Sequence, residues 1–252
     1  MRLLRVLHLT DPHLFADLNG SLRGTVTFAS LSAVLAHYQA GNWRADLVMV
    51  TGDLVQDDSK EAYVHFRALL KSLDLPVYCV PGNHDMRALM QAALNEPPFY
   101  YCDTVVQDRW LIVGLDSCIA DQAGGSVSDA ELARLDAVIA ASDTSHVMVC
   151  LQHPPVAMGS KWLDSVGLAN GYAVLARLAR SGKVRLTISG HVHQDYEAEH
   201  VGIRIIATPS TCSQFAVRSD EFAIDDHPPA YRRIELDADG QHSNELIWVA
   251  SG

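Results

Sequence analysis

Short apolar segments alternate with helical patterns along most of this chain, and this alternation restricts the fold more than any other feature. The apolar segments are rich in Val, Ile and Leu and have the length of buried strands. They span residues 3–9, 46–50, 77–80, 110–115, 146–151, 185–188 and 203–207. Segments with apolar residues on one helical face separate most of them, at residues 25–39, 60–73 and 171–181 and after the helix start at Ser128. The alternation predicts an α/β fold built in layers.

The C-terminal part of the sequence has a different pattern. Predicted strands at residues 196–200, 203–207, 230–236 and 245–249 include pairs that are joined by short turns. Such connections are typical of antiparallel strands, so we expect a mixed sheet there. Because no linker rich in Pro, Gly or Ser divides the chain, we expect a single domain over residues 1–252.

Composition excludes several classes of partner. The 252 residues include 19 Lys and Arg against 30 Asp and Glu, which gives a formal net charge of −11. An acidic chain is poorly suited to binding nucleic acid or an anionic membrane surface, so we expect neither partner. Arg5, His8 and Asp11 interrupt the apolar N-terminal run, which argues against a signal peptide. The five cysteines form no CxxC motif, as expected of reduced thiols in a cytoplasmic protein.

Side chains of the kind that bind metals follow five of the predicted strands. They are Asp11 and His13, Asp53, Asn83 with His84 and Asp85, His153, and His191 with His193. In an open α/β sheet, ligands bind outside the carboxyl ends of the strands, so these side chains should meet in one crevice. Each motif alone has an ordinary structural explanation; Gly-Asp, for example, is common in turns. Their joint occurrence at strand ends favours a shared site.

The composition of this set indicates a metal centre. Imidazole suits Zn, Fe, Mn and Ni, whereas carboxylate and amide oxygens suit harder cations such as Mn and Mg. Two carboxylates, one amide and four imidazoles exceed what a single tetrahedral ion needs, and seven ligands suit two ions that share a bridging carboxylate. Two such ions can hold both the attacking and the leaving oxygen of a displacement at phosphorus.

The strand-end motifs resemble those of the calcineurin-like metallophosphoesterase superfamily. The motifs are Asp11-x-His13, Gly52-Asp53, Gly82-Asn83-His84-Asp85, His153 and Gly190-His191-x-His193. Three further segments are similar to the class III 3′,5′-cyclic-nucleotide phosphodiesterases of bacteria, the cyclic AMP type. These segments are residues 208–215 (TPSTCSQF), 161–164 (KWLD) and 231–236 (YRRIEL). The resemblance extends over essentially the whole chain, and the segment at 208–215 is the most informative for the substrate.

The resemblance implies a fold, a ligand set and a cofactor. The fold would be αββα, a central β-sheet sandwich flanked by helices. One metal would be held by Asp11, His13, Asp53 and His193, and the second by Asp53, Asn83, His153 and His191, with Asp53 bridging. The cofactor would be two divalent or trivalent transition-metal ions, Fe and/or Mn first, with Zn, Co or Mg as alternatives. The family usually has His at position 152, where this chain has Gln152. This difference changes a residue that would contact a metal ligand, and it leaves the ligand His153 in place.

The resemblance also implies a reaction. A hydroxide that bridges the metals would attack phosphorus, and His84, which binds no metal, would protonate the leaving 3′-oxygen. The small-molecule substrate would be cyclic AMP, the product 5′-AMP, and the substrate-binding residues His13, Asp53, Asn83, His84 and His193. One alternative is a phosphoesterase that acts on another phosphodiester or on a phosphomonoester. A second is a non-catalytic binding protein with a relict site, against which the intact ligand set argues. The oligomeric state stays open.

Two further expectations concern the surroundings of the site. Residues 208–230 include a loop that we expect to cap the active site. The candidate residues that line a nucleotide pocket are Trp162, Asp164, Gln214 and Phe215. For the aromatic residues among them, packing is the simpler explanation. Metal-bound histidines usually donate their second N–H to a carboxylate or a carbonyl. The candidate carboxylates are Asp57, Asp58, Asp85 and Asp195, each of which also has an ordinary explanation as a turn or surface acid.

Overall fold

The computed structural model describes residues 3–250, which form two six-stranded sheets, two small hairpins and six helices. The strands are β1 (Leu4–Leu9), β2 (Ser21–Leu22), β3 (Thr25–Val26), β4 (Leu47–Thr51), β5 (Val77–Val80), β6 (Phe99–Tyr101), β7 (Thr104–Gln107), β8 (Trp110–Gly114), β9 (His146–Leu151), β10 (Val184–Ser189), β11 (Tyr196–His200), β12 (Ile203–Ala207), β13 (Gln214–Phe215), β14 (Ile224–Asp225), β15 (Ala230–Leu236) and β16 (His242–Trp248). The helices are α1 (Thr27–Ala40), α2 (Lys60–Lys71), α3 (Arg87–Ala93), α4 (Asp129–Ala141), α5 (Lys161–Asp164) and α6 (Gly171–Arg180).

Both large sheets are mixed. The first has the strand order β16-β15-β1-β4-β5-β6, in which β1, β4, β5 and β6 run parallel and β15 pairs antiparallel with both β1 and β16. The second has the order β11-β12-β10-β9-β8-β7, with antiparallel pairing only at its two edges. The prediction of antiparallel strands late in the chain is confirmed. The antiparallel edge strand β7 was not predicted.

The two sheets pack face to face, and helices cover their outer faces. In β1 the side chains of Leu4 and Val6 point to the space between the sheets, whereas Leu7 and Leu9 pack under α1 and α2. This alternation is the period of two that a strand imposes, and it lets one strand contribute to two cores. On the second sheet α4 and α6 bury their apolar faces in the same manner. The layers are those of the predicted αββα sandwich.

Most element boundaries agree with the sequence prediction, with one informative difference. The helix expected to begin at residue 25 begins at Thr27. Residues 21–26 instead form the hairpin of β2 and β3, in which Ser21 pairs with Val26 and Leu22 with Thr25. The side chain of Ser59 caps α2 by accepting a hydrogen bond from the backbone N–H of Ala62, and Ser128 caps α4 in the same way. No helix within residues 3–250 is long and apolar enough to cross a membrane.

The parallel strands bring their carboxyl ends to one edge of the sandwich. There the segments that follow the strands are hydrogen-bonded to one another through their backbones. The N–H of Asp11 donates to the carbonyl of Gly52 over 3.1 Å, and the N–H of His13 donates to the carbonyl of Asp53 over 2.9 Å. In the second sheet, the N–H of Gly190, after β10, donates to the carbonyl of Gln152, after the neighbouring strand β9, over 3.1 Å. The segments that carry the predicted ligands are therefore held together by the fold itself.

Candidate active site

Five of the predicted ligands share an unusual backbone conformation. Asp11, His13, Asp53, His191 and His193 all have φ between 47° and 68°, in the left-handed region that residues other than Gly seldom adopt. Such a conformation costs of order 1–3 kcal/mol per residue and persists only where its surroundings fix it, as commonly happens at functional sites. Each of the five lies just beyond the end of a parallel strand. The left-handed backbone conformation there directs the side chain into the crevice.

Four of these side chains form a buried cluster, in which Asp11, His13 and His193 lie together and Asp53 adjoins His13, next to His84. The Nε2 atoms of His13 and His193 are 3.2 Å apart, His193 Nε2 lies 3.5 Å from Asp11 Oδ1, and His13 Nε2 lies 3.8 Å from Asp53 Oδ2. All four side chains are at most 3% exposed. His193 Nδ1 donates to the carbonyl of Ser213 over 2.6 Å, which leaves Nε2 with a lone pair.

The electrostatics of this cluster fit a bound cation. Burial, together with the charges of Asp11 and Asp85, raises the pKa of the Asp53 carboxyl well above its usual value. An ionised Asp53 therefore needs a positive charge close by. Burial lowers the pKa of His13 well below its usual value, so its ring is not a source of that charge. Two imidazoles and two carboxylates in one buried cluster are a donor set that suits a transition-metal ion.

A second pair of acceptors lies beside the first cluster. His191 Nδ1 is 3.1 Å from Asn83 Oδ1, and His191 Nε2 is 3.0 Å from the carbonyl of Val166. A carbonyl only accepts, so the ring proton is on Nε2 and Nδ1 carries a lone pair. Burial also lowers the pKa of His191 well below its usual value, which disfavours a second proton. Two acceptors that face each other in this way fit a cation between them.

His153 lies next to this pair but is engaged differently. Its ring centroid is 4.4 Å from that of His191. Its Nδ1 is 2.9 Å from Ser117 Oγ and its Nε2 is 3.1 Å from the carbonyl of Ala123. Both ring nitrogens thus have partners within the protein, and metal binding by His153 would replace one of them. Its role as a ligand stays a prediction.

His84 faces the cavity from the side of the first cluster. Its ring centroid is 5.2 Å from that of His13, and its backbone N–H donates to Asp53 Oδ1 over 2.9 Å. Its Nδ1 lies 3.1 Å from Nε2 of Gln56, an amide nitrogen that only donates. His84 Nδ1 therefore accepts, and in the neutral ring the proton is on Nε2. Sequence reasoning did not find Gln56, because its contact joins two loops that lie far apart in the chain.

Three of the four acids suggested as partners of the histidines have other partners within the described residues. Asp85 accepts hydrogen bonds from the N–H groups of Leu54, Val55 and Gly82 and from the hydroxyl of Tyr63, so it ties two ligand-bearing loops together. Asp195 pairs with Arg232, and Asp57 accepts from the N–H of Ala16. The negative charge of Asp58 acts on His84, where it partly offsets the lowering of the pKa by burial. Backbone carbonyls and polar uncharged side chains orient the histidine rings instead.

The cluster forms one wall of a cavity of about 190 Å³. The cavity is lined by His13, Arg23, Asp53, Asn83, His84, Ala123, Trp162, Leu163, Val166, His191, His193 and Phe215. Phe215 stacks on His193 with ring centroids 4.3 Å apart and an interplanar angle of 9°. Of the predicted nucleotide-pocket residues, Trp162 and Phe215 line the cavity. Gln214 instead bonds to the backbone of Ser210, and Asp164 to the backbone of Met158 and Gly159.

The chain is similar to known phosphodiesterases over nearly its whole length. The calcineurin-like phosphoesterase family matches residues 4–195. The 3′,5′-cyclic adenosine monophosphate phosphodiesterase CpdA of Vibrio vulnificus is 35% identical over 250 residues, which are 99% of this chain and 91% of that protein. A 3′,5′-cyclic-nucleotide phosphodiesterase of Nostoc sp. is 30% identical over 246 residues, 98% of this chain and 92% of that protein.

Solved structures show the same fold. A dimetal phosphatase from Danio rerio superposes with a TM-score of 0.65 at 17% identity, covering 98% of this chain and 99% of that one. The donor set described above fits the dinuclear metal site that metallophosphoesterases share. The resemblance seen in the sequence and the α/β architecture are both confirmed, and the chain belongs to the calcineurin-like phosphoesterase family.

Proposed function

We propose that this protein is a dinuclear-metal phosphodiesterase that hydrolyses 3′,5′-cyclic AMP to 5′-AMP. The observation that carries the proposal is the buried cluster of His13, His193, Asp11 and Asp53 beside the His84 ring. The substrate is supported by the 35% identity to cyclic AMP phosphodiesterases over nearly the full chain. The small cavity and the acidic net charge agree with a small-molecule substrate rather than a nucleic acid.

The proposed ligands divide into two groups. Asp11, His13, Asp53 and His193 would hold one ion, and Asp53, Asn83, His153 and His191 the other. When bound, such ions lower the pKa of water and offset the charge that builds up on the phosphoryl oxygens. Mixed nitrogen and oxygen donors suit Fe and Mn, which we propose as the native metals in a cytoplasmic enzyme.

His84 supplies the proton in this mechanism. Its Nδ1 accepts from Gln56, so the neutral ring carries its proton on Nε2, and His84 lines the cavity. During hydrolysis a water oxygen bonds to phosphorus and releases one proton, and the bond between phosphorus and O3′ breaks. O3′ takes the Nε2 proton of the imidazolium form of His84, in which Nδ1–H faces Oε1 of Gln56 once that amide turns, and the proton released by the water restores this form. Proton transfer of this kind contributes about 10²- to 10⁴-fold to a rate. Asn83 and His13, which border the same space, are proposed to contact the phosphate as well.

The residues around the metals do not by themselves select a cyclic nucleotide. A phosphoesterase that acts on another phosphodiester or on a phosphomonoester would use the same ligands and the same His84. Direct chromatography of the reaction products separates these functions. The test compares manganese-loaded protein with a chelator-treated control on 3′,5′-cyclic AMP, 3′,5′-cyclic GMP, 2′,3′-cyclic AMP and a phosphomonoester. Chelator-sensitive formation of 5′-AMP, faster than turnover of the other esters, is the expected result. Faster turnover of another ester would keep the metal centre and reject the substrate.

A further inference from the structure

A cationic side chain at the mouth of the cavity is not used by the mechanism above. Arg23 lies in the turn between β2 and β3, with φ of 51°, and is followed by Gly24 with φ of 85°. This tight turn directs the Arg23 side chain against the site, where it lines the same cavity as His84 and His193. Within residues 3–250 its guanidinium has no hydrogen bond and no ion pair with a carboxylate.

Two aromatic rings hold this guanidinium in place. Its Cζ lies 4.7 Å from the ring centroid of Phe215 and 4.9 Å from that of Phe222. Contacts between a cation and a ring orient the guanidinium without occupying its N–H donors. Phe215 is in turn stacked on His193, so the position of Arg23 is linked to a predicted metal ligand. The guanidinium N–H groups of Arg23 are therefore held in position before any ligand binds, and they have no acceptor within residues 3–250.

A second donor near the same rings also lacks an acceptor. Trp162 lines the cavity, and its ring centroid is 5.0 Å from that of Phe215 and 5.2 Å from that of Phe222. Its Nε1 is buried and has no hydrogen-bond partner among the described residues. A buried donor without an acceptor is destabilising, and a ligand that supplies the acceptor removes that cost.

We propose that Arg23 binds the phosphate of the substrate, with the Trp162 indole N–H as a second donor at the same subsite. The inference rests on the proposed function for its substrate, and it identifies which part of that substrate Arg23 recognises. A phosphodiester carries one negative charge and two non-bridging oxygens, and the fork of N–H groups on a guanidinium matches such an acceptor. Arg23 then offsets the phosphate charge in the cavity that Asp53 also lines.

The test compares Arg23→Gln with Arg218→Gln. Arg218 is a matched control because it has a similar backbone conformation, with φ of 55°, is exposed in the segment 208–230, and does not line the cavity. Manganese-loaded variants are assayed on 3′,5′-cyclic AMP and on bis(p-nitrophenyl) phosphate, which has the phosphodiester anion but no base. Loss of a charged hydrogen bond should raise KM for both substrates about ten- to a hundredfold in Arg23→Gln, with Arg218→Gln unchanged. Trp162→Phe, which removes the indole donor, should raise KM in the same direction by a smaller factor.

Binding measurements separate phosphate recognition from other roles. Arg23→Gln should weaken the binding of 5′-AMP in calorimetry and leave the binding of adenosine as in the unmodified protein. Equal weakening of both ligands would mean that Arg23 recognises the nucleoside, and would overturn the inference. Unchanged KM values of Arg23→Gln for both esters would also overturn the inference, even if this variant still hydrolyses cyclic AMP. If the unmodified protein hydrolyses only bis(p-nitrophenyl) phosphate, the proposed substrate fails, while the Arg23 effect on that ester still decides the inference.

Discussion

Gln152 donates a hydrogen bond from its Nε2 to Oδ1 of Asp11 across 3.0 Å, and both residues are fully buried. The family usually has a histidine at this position, and the substitution was the one departure from its pattern that bears on the metal centre. The structure shows that Gln152 still provides a donor to the carboxylate. The amide is packed closely, since a Cβ on Gly52 would lie 2.3 Å from Gln152 Oε1.

The first prediction follows from this contact. Gln152→Leu keeps a similar volume and removes the donor that fixes Asp11. Loss of a hydrogen bond to a metal ligand typically weakens metal affinity about 10- to 100-fold, and we expect that loss here. Competition with a chromogenic chelator on manganese-loaded protein measures it. Gln152→His restores a ring N–H donor and should recover most of the affinity. An unchanged affinity in Gln152→Leu would show that Asp11 is positioned by its other contacts, the hydroxyl of Thr10 and the N–H of His191.

The second prediction separates the proton donor from the metal ligands. His84→Ala should lower kcat about 10²- to 10⁴-fold while both metals stay bound, because the ring contributes a proton and no ligand. Asp53→Ala should lose metal together with activity, since the carboxylate is shared between the two proposed ligand groups. Elemental analysis of the purified variants, together with kcat, distinguishes these outcomes. Loss of metal from His84→Ala would remove His84 from its proposed role.

The sequence predicts the site residues that adjoin strands, and it misses those that depend on contacts between distant parts of the chain. Asp11, His13, Asp53, His191 and His193 were found because each follows a strand, and parallel strands bring their carboxyl ends to one edge. Their positive φ angles were not predictable, because nothing in the residue types Asp and His requires that conformation. It is imposed by hydrogen bonds to neighbouring loops.

Residues that act through distant contacts escaped the sequence prediction altogether. Gln56 reaches His84, and Arg23 reaches Phe222, across long separations in the chain that no local pattern records. The helix start at Thr27 was placed two residues early for a related reason. Thr25 and Val26 directly precede the apolar helical spacing that begins at Phe28, but their pairing with Leu22 and Ser21 places them in a hairpin.

The third prediction concerns the close approach of two loops at the metal centre. A Cβ on Gly82 would lie 2.0 Å from Asp53 Oδ1 and 2.1 Å from the Asp53 backbone nitrogen. Gly82→Ala must therefore displace Asp53, and we expect lost metal binding together with a kcat reduced at least 10-fold, as misplaced ligands cause. Metal content and kcat measure both effects.

Gly41→Ala is the control for that substitution. A Cβ there meets its nearest atoms at 3.4 Å, and φ is −73°, which suits any residue. This variant should bind metal and turn over substrate as the unmodified protein does. Normal metal content in Gly82→Ala would show that the loops can separate without disturbing Asp53, contrary to the packing described here.

The fourth prediction is a pH dependence of stability that arises from carboxylates outside the proposed ligand set. Arg232 is buried, and its guanidinium donates to Glu197 Oε1 over 3.1 Å and pairs with Asp195. Partial burial alone would raise the pKa of Glu197, but hydrogen bonds from Arg204 and Asn244 and the charges of both arginines lower it overall. A carboxyl whose pKa is lower in the folded state stabilises the fold above its unfolded pKa, and this contribution disappears as the pH falls through the folded value.

The free energy of unfolding should therefore decrease as the pH falls from about 5 towards 3, since an unfolded glutamate titrates near 4.3. Glu197→Gln cannot ionise, so its free energy of unfolding should be lower at neutral pH and should decrease less steeply over this interval. Urea unfolding of both proteins at several pH values measures the difference in slope. Glu199→Gln is the matched control, because Glu199 is exposed on the same strand and has no ion pair within residues 3–250. Equal slopes for Glu197→Gln and Glu199→Gln would mean that the pairing with Arg232 and Arg204 does not stabilise the fold.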